Sequence, residues 1–201
     1  FCKGQMYNGV VDVRTPITAE DTVLVWANKL GEGYSGSAVG SPIIVGGYLY
    51  TYSGTTIMKV DKETGLIVKT GTMVGGSSFA INCATYAEGM IFIGLANGRV
   101  QAFNAETLES LWVYRDALGG QPNCPIAYAD GYIYTGFWNS ETKQANFACL
   151  SVTDEDATKT NEAKLPTWTY THNGFYWAGA YVNSDFVLVT TDDGAEGYVT
   201  G

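Results

Sequence analysis

A repeat of about 42 residues is the feature that most constrains what this chain can fold into. Three segments align with one another; a turn glycine directly precedes each, and these glycines are 42 residues apart. The segments are Tyr48–Gly54, Met90–Leu95 and Tyr132–Phe137, after Gly47, Gly89 and Gly131. A fourth copy begins at Tyr181. Because one such unit cannot bury its apolar surface alone, the copies must stack on one another.

The apolar runs and turn residues within each repeat predict four short strands. In the first copy these are Pro42–Val45, Tyr48–Ser53, Thr56–Asp61 and Leu66–Thr72. The pair Asn97-Gly98 in the second copy supplies the positive φ angles of a tight hairpin turn. Four antiparallel strands in a period of about 42 residues are typical of a β-propeller blade. We therefore predict an all-β chain that forms part of a β-propeller.

The composition agrees with blades that are buried on both faces. Only 15% of the 201 residues are charged, and the chain contains 25 Gly, 14 Tyr and 5 Trp; an average soluble domain has about 25% charged residues. The net charge of -9 argues against general binding to nucleic acid, because phosphates would repel it. The apolar runs are far shorter than the roughly 20 residues of a membrane-spanning helix, so we expect no membrane insertion.

The repeat predicts about three and a half blades. The boundaries are an N-terminal segment with an outer strand at 1–40, blades at 41–72, 83–114 and 125–171, and an incomplete blade at 179–201. A polar insertion, Ser151–Leu165, lengthens the third copy. In one interpretation the chain is a trimmed half of a larger propeller, whose remaining blades or a second chain cover the open faces. In the other, Thr22–Ala27 supplies an outer strand that closes a four-bladed ring. The blade length and the tryptophans favour the first.

The end of each blade resembles the quinoprotein (PQQ-like) propeller repeat, whose pattern is close to A-x-D-x-x-T-G-x-x-x-W. Ala102, Asn104, Thr107 and Trp112 match it closely, while Leu108 replaces the glycine. In the preceding copy Asp61, Thr64 and Gly65 match, and Lys69 replaces the tryptophan. The resemblance implies that three tryptophans dock between adjacent blades: Trp26, Trp112 and Trp168.

The resemblance is less specific for function. Quinone-dependent alcohol dehydrogenases of this family hold PQQ over a tryptophan beside a disulfide of adjacent cysteines, with a bound calcium. Cys2, Cys83, Cys124 and Cys149 are all far apart, so the chain looks like a cofactor-less branch that resembles outer-membrane-assembly and bacterial surface propellers. We expect neither PQQ nor calcium, no metal site and no catalytic residue. Isolated cysteines in strands are typically buried apolar residues, so free thiols are expected.

The connections between the outer strand of one blade and the inner strand of the next converge on one rim of a propeller. They combine glycines with aromatic and amide side chains, which suit sugars or peptides. The candidate ligand rim comprises Tyr34, Phe79, Gln121, Asn123, Tyr176 and Trp177. The alternative is that these residues only turn corners and fill the channel. His172 lacks a nucleophile motif that would make it a general base.

These observations predict a non-catalytic binding or scaffold module of a secreted or cell-surface bacterial protein, with a protein or carbohydrate ligand. The extracellular location follows from the family resemblance. The alternative is a quinone-dependent oxidoreductase whose cofactor site lies largely in blades outside this chain. A third interpretation is a spacer that displays other domains and binds no ligand.

Overall fold

The computed structural model describes residues 17–31, 33, 39–77, 82–175 and 177–201. Within these residues the chain forms sixteen strands and no helix. The strands are grouped in four sheets, one for each copy of the repeat. The prediction of an all-β, partial propeller is confirmed.

Blade 1 shows how closely the repeat determines local structure. Its strands are β1 (Ile43–Val45), β2 (Tyr48–Ser53), β3 (Thr56–Asp61) and β4 (Ile67–Thr72), hydrogen-bonded in that order. The predicted strand limits agree to within one residue. Gly54 and Gly65 have positive φ angles of 59° and 71° at the two turns that flank β3, a conformation that glycine adopts without steric cost.

The other blades repeat this arrangement. Blade 2 contains β5 (Thr85–Ala87), β6 (Met90–Leu95), β7 (Arg99–Asn104) and β8 (Ser110–Arg115). Blade 3 contains β9 (Ala127–Ala129), β10 (Tyr132–Gly136), β11 (Gln144–Ser151) and β13 (Trp168–Asn173). Blade 4 contains β14 (Tyr181–Val182), β15 (Val187–Asp192) and β16 (Gly197–Thr200). The innermost strands β1, β5, β9 and β14 lie side by side in chain order.

The hydrophobic core lies between the blades rather than within a single sheet. One cluster joins blades 1 and 2 and includes Tyr50, Ile57 and Ile91. A second cluster extends from blade 2 through blade 3 to blade 4 and includes Trp112 and Phe147. Both faces of the middle blades are therefore buried, which accounts for the scarcity of charged residues in their strands.

The polar insertion of blade 3 contains a strand that the sequence did not predict. Strand β12 (Glu162–Lys164) pairs with β8 and runs parallel to it, so blade 2 has five strands. Glu162 is opposite Trp112, and Lys164 is opposite Tyr114. A segment that interrupts one blade thus completes the edge of its neighbour.

The N-terminal part of the described chain differs from expectation. Residues 22–30 contain no strand, so the outer strand predicted over Thr22–Ala27 is not formed in this structure. Val23, Leu24 and Val25 are 72–80% exposed. The two outer blades also expose apolar side chains, among them Leu66 near the start of β4 and Val199 in β16.

Candidate functional site

Two of the repeat tryptophans make the same contact with the next blade. Trp26 donates a hydrogen bond from Nε1 to the carbonyl of Lys62 at 2.9 Å, and Trp112 donates one to the carbonyl of Val152 at 3.3 Å. Both acceptors are the first residue after the third strand of a blade, β3 for Lys62 and β11 for Val152. The indole therefore fixes the position of its own segment relative to the neighbouring turn.

Between blades 1 and 2 a different side chain makes this contact. Lys69 stands in the tryptophan position of β4, and its side chain cannot fill the same space. Instead, Tyr50 of β2 donates from its hydroxyl to the carbonyl of Ala105 at 2.8 Å. Ala105 is the first residue after β7, so it corresponds to Lys62 and Val152. The repeat pattern does not predict this role of Tyr50, although the loss of tryptophan at Lys69 marks where it occurs.

Trp168 has the same place in blade 3 but a different environment. Its ring lies 6.1 Å from that of Tyr134 and 6.3 Å from that of Phe147, both in its own blade. The residue is 40% exposed, whereas Trp112 is 0% exposed. The third strand of blade 4, β16, ends at Thr200. Since β16 pairs with β15 from Gly197 to Thr200, the described residues contain no turn that corresponds to Val152.

The predicted rim is held together by hydrogen bonds between backbone groups. Ala96 donates to Gly76 at 2.9 Å, and Gly98 donates to Gly120 at 2.6 Å. Gln121 and Trp138 exchange two backbone hydrogen bonds of 2.8 and 2.9 Å. Each connection therefore lies against the hairpin turns between the second and third strands of the blades it joins.

Glycine is required where these loops meet. Gly98 has a φ of 64°, and a Cβ atom there would lie 2.6 Å from the Cα of Gly119. Gly174 has a φ of 59°, and its Cβ would lie 2.0 Å from the carbonyl oxygen of Asp192. Any other residue would both strain the backbone and separate the loops. The glycine-rich rim is thus a close-packed backbone structure.

Three of the six candidate rim residues belong to the described part of the chain. Gln121 is half-buried, and its Oε1 atom is buried without a hydrogen-bond partner among the described residues. Trp177 is 42% exposed. Its loop contacts the Gln121 loop, because the Cys124 thiol donates to the carbonyl of Ala178 at 3.0 Å. Tyr34, Phe79 and Tyr176 lie outside the described residues.

The third described candidate, Asn123, has a different position from that expected. It is 4% exposed, so its side chain faces the protein interior rather than a ligand surface. Its backbone N–H donates to the carbonyl of Gln121 at 2.9 Å, which tightens the loop. The loop turns inward at this point because it must enter β9 at the centre of the propeller.

A buried polar network beneath the rim joins blades 2 and 3, and no sequence pattern indicates it. Asp116 accepts hydrogen bonds from the Tyr114 hydroxyl at 2.6 Å and from the Asn146 amide at 3.0 and 3.2 Å. Thr171 in turn donates to Asn146 at 2.6 Å. Burial, together with the neighbouring Asp116 carboxylate, raises the pKa of Tyr114 well above its usual range. A satisfied network of this kind fixes the geometry of the two blades.

Solved structures of similar shape identify the architecture. BamB from Moraxella catarrhalis aligns with a TM-score of 0.54 and 18% identity, over 77% of this chain and 40% of BamB. The quinohemoprotein alcohol dehydrogenase ADHIIG from Pseudomonas putida HK5 aligns with a TM-score of 0.53 and 13% identity, over 76% and 28% of the two chains. The chain has the fold of a quinoprotein-like β-propeller. It spans less than half the length of either of these proteins.

A third match extends the comparison to a protein of similar size. The computationally designed Ika4 protein aligns with a TM-score of 0.56 and 14% identity, over 87% of this propeller and 98% of Ika4. No protein-family model and no curated protein matches the sequence. At these identities the matches show the fold of the propeller.

The titratable groups of the propeller are arranged mainly for packing. Cys124 and Cys149 are buried free thiols, as expected, whereas Cys2 lies outside the described residues. Burial raises the pKa of Cys124 to about 12 and also raises that of Cys149.

The described residues contain no group of three or more His, Cys, Asp or Glu side chains that could hold a metal ion. These residues also contain no helix that is long and apolar enough to cross a membrane.

His172, which the sequence did not support as a general base, is a strand residue. It belongs to β13, where its ring stacks 6.2 Å from Tyr170 and meets the edge of Tyr198 at 5.5 Å. Its Nδ1 atom lies 3.1 Å from the carbonyl oxygen of Asn173. These contacts place the imidazole between blades 3 and 4, where it packs among aromatic rings.

Proposed function

We propose that this propeller is a non-catalytic binding or scaffold module of a bacterial cell-surface or secreted protein, and that its rim holds a protein or carbohydrate ligand. The observations that carry the proposal concern Gln121 and Trp177, which belong to two loops in contact with each other. A buried amide oxygen that lacks a hydrogen-bond partner lies on one loop, and an exposed indole lies on the loop that contacts it. Apolar rings with a few fixed polar groups are the usual lining of ligand sites.

The rigidity of the rim supports this function. Backbone hydrogen bonds and close glycine contacts fix the loops before any ligand arrives. A preorganised surface loses little conformational entropy on binding, so more of the contact energy contributes to affinity. The envelope location is supported by the repeat pattern, which resembles outer-membrane-assembly propellers, and by the structural similarity to BamB.

The proposal is tested with glycan and peptide arrays. We expect the double variant Trp177→Ala, Gln121→Ala to abolish binding that the unchanged protein shows, because it removes both the indole surface and the amide. Tyr86→Ala is the matched control, since Tyr86 is 43% exposed but lies on inner strand β5, away from these loops. Equal binding by the double variant and the unchanged protein would contradict the rim site.

A quinone-dependent oxidoreductase is the second candidate function, favoured by the similarity to ADHIIG. Since the match spans 28% of that enzyme, the test uses the full-length protein. The protein is incubated with PQQ and calcium, and reduction of an artificial electron acceptor by alcohols is followed. We expect no dye reduction above that of the quinone alone. Calcium-dependent turnover would replace the scaffold proposal with an enzymatic one.

A further inference from the structure

The outer edges of blades 1, 2 and 3 differ in what protects them from pairing with another strand. In blade 2, β12 covers the edge of β8. In blade 1, β4 carries Lys69 near its centre. In blade 3, β13 contains no charged residue, and no strand in the described ranges pairs with its outer side. A neutral, six-residue edge strand without proline is a template for an added strand.

Strand β12 shows which kind of segment such an edge accepts. It runs parallel to β8, with Lys164 opposite Tyr114. From this position the Lys164 ammonium group lies 5.3 Å from the centre of the Trp112 ring, two residues earlier in β8. A cation over the face of an indole is attracted by the ring quadrupole, most strongly when both are shielded from water. The interaction therefore depends on a basic residue at one register position.

Blade 3 presents the same aromatic pair without an added strand. Trp168 and Tyr170 in β13 have the spacing of Trp112 and Tyr114 in β8. Trp168 is 40% exposed, and Thr169 between them is also exposed. The net charge of -9 favours a basic segment, and it disfavours a second copy of this chain by mutual repulsion.

We propose that β13 binds an extended segment of a partner protein as an added parallel strand, with a lysine or arginine opposite Tyr170 and its cation over Trp168. Main-chain hydrogen bonds to the edge give affinity, and the cation sets the register. This surface is on the outer circumference of blade 3, whereas the proposed ligand rim lies on the loops that join the blades. Binding at either surface can therefore fail without affecting the other.

The first experiment uses a fluorescent peptide with the sequence Thr-Asn-Glu-Ala-Lys-Leu, which is that of residues 160–165. It is titrated against the 201-residue chain, and backbone amide NMR signals locate the binding surface. We expect saturable binding with shifts at residues 168–171. The matched peptide that carries the Lys164→Glu change should bind about tenfold more weakly, since it loses the cation over the ring. Shifts at 112–114 instead would mean that the peptide replaces β12, and would overturn the proposal.

The second experiment changes the edge itself. Thr169→Lys places a charge in β13 on an exposed side chain, so the fold is retained while strand addition is blocked, and binding should fall at least about tenfold. Thr70→Lys, at the corresponding exposed position of β4, is the control and should leave binding unchanged. Trp177→Ala should also leave it unchanged, which separates this surface from the rim. Equal binding by Thr169→Lys and the unchanged chain, or a dimer in sedimentation that Thr169→Lys abolishes, would overturn the proposal.

Discussion

Trp112 and Trp168 occupy the same position in consecutive blades, yet one is fully buried and the other is 40% exposed. Their contacts within the blade are similar, since Phe92 lies 5.7 Å from the first ring and Tyr134 lies 6.1 Å from the second. The difference comes from outside the repeat. The Trp112 indole donates a hydrogen bond to the carbonyl of Val152, and the added strand β12 pairs with its strand. The described residues supply neither partner for Trp168. In a stacked-repeat protein the neighbouring unit therefore decides how much one residue contributes.

The largest expected change in the free energy of unfolding comes from replacing these two tryptophans, and it should distinguish them directly. We expect Trp112→Ala to lower the free energy of unfolding by about 3–5 kcal/mol, because it empties a fully buried site. Trp168→Ala should cost only about 1–2 kcal/mol, since much of its ring already contacts water. Urea denaturation of both variants measures the difference. Equal losses would show that the two positions are equivalent despite their exposure.

Removing β12 should make blade 2 resemble blade 3. We would replace residues 152–166 with the six residues 62–67 of blade 1, whose first carbonyl accepts the Trp26 hydrogen bond. The graft keeps an acceptor for Trp112 but removes the strand and the cation above the ring. We expect a loss of about 2 kcal/mol in unfolding free energy and a red shift of tryptophan fluorescence. Unchanged emission in the grafted protein would indicate that β12 does not shield the indole.

A single substitution tests the contribution of the cation. The Lys164 side chain is 2% exposed, and its ammonium group bonds Glu155 and the carbonyl of Thr153, both at 2.5 Å. We expect Lys164→Met to cost about 1 kcal/mol, because methionine retains the apolar contact but loses the cation over Trp112. The control is Glu155→Gln, which should cost less because that carboxylate is 53% exposed. The reverse order of the two losses would contradict this assignment.

The smallest expected effect concerns the buried thiols, and it tests whether blade 3 is accessible to solvent only at its edge strand. Cys149 is 1% exposed, and burial raises its pKa, so we expect its reaction with a thiol reagent at pH 8 to be much slower than that of unfolded protein.

The buried thiols should also make the stability of the protein depend on pH. Burial raises the pKa of Cys124 to about 12 from the ordinary value of 9.0. The stability that these protonated thiols contribute is complete below about pH 9 and is lost as the pH rises towards 12. Denaturation at pH 8 and 11 checks the sign, and Cys124→Ala should reduce the difference.

The periodic features of this fold could be predicted because they depend on neighbours along the chain. Gly54 and Gly65 mark turns that only glycine adopts readily, and the apolar runs between such glycines are the strands of blade 1. Local turn chemistry and a fixed repeat length are enough to place these strands. The same reasoning located the loops of the rim, but it could not show that Asn123 turns inward.

The features that could not be predicted depend on residues far apart in the sequence. Tyr50 replaces a tryptophan by reaching a carbonyl 55 residues away, and the network around Asp116 joins strands from two blades. The strand expected over Thr22–Ala27 also failed to appear, since β propensity alone does not supply a partner for its backbone groups. A strand exists only where another strand accepts its hydrogen bonds.

The sequence by itself determined the all-β repeat, the order of the repeat's own strands within each blade and the glycines on which the turns depend. Those properties follow from backbone conformation and periodic burial, which short stretches of chain encode. Only the tertiary structure decided that an insertion in blade 3 completes blade 2, and that Trp112 is covered while Trp168 is not. Those outcomes depend on which surfaces meet when the blades stack, and the repeat pattern, nearly the same in each copy, cannot distinguish one neighbour from another.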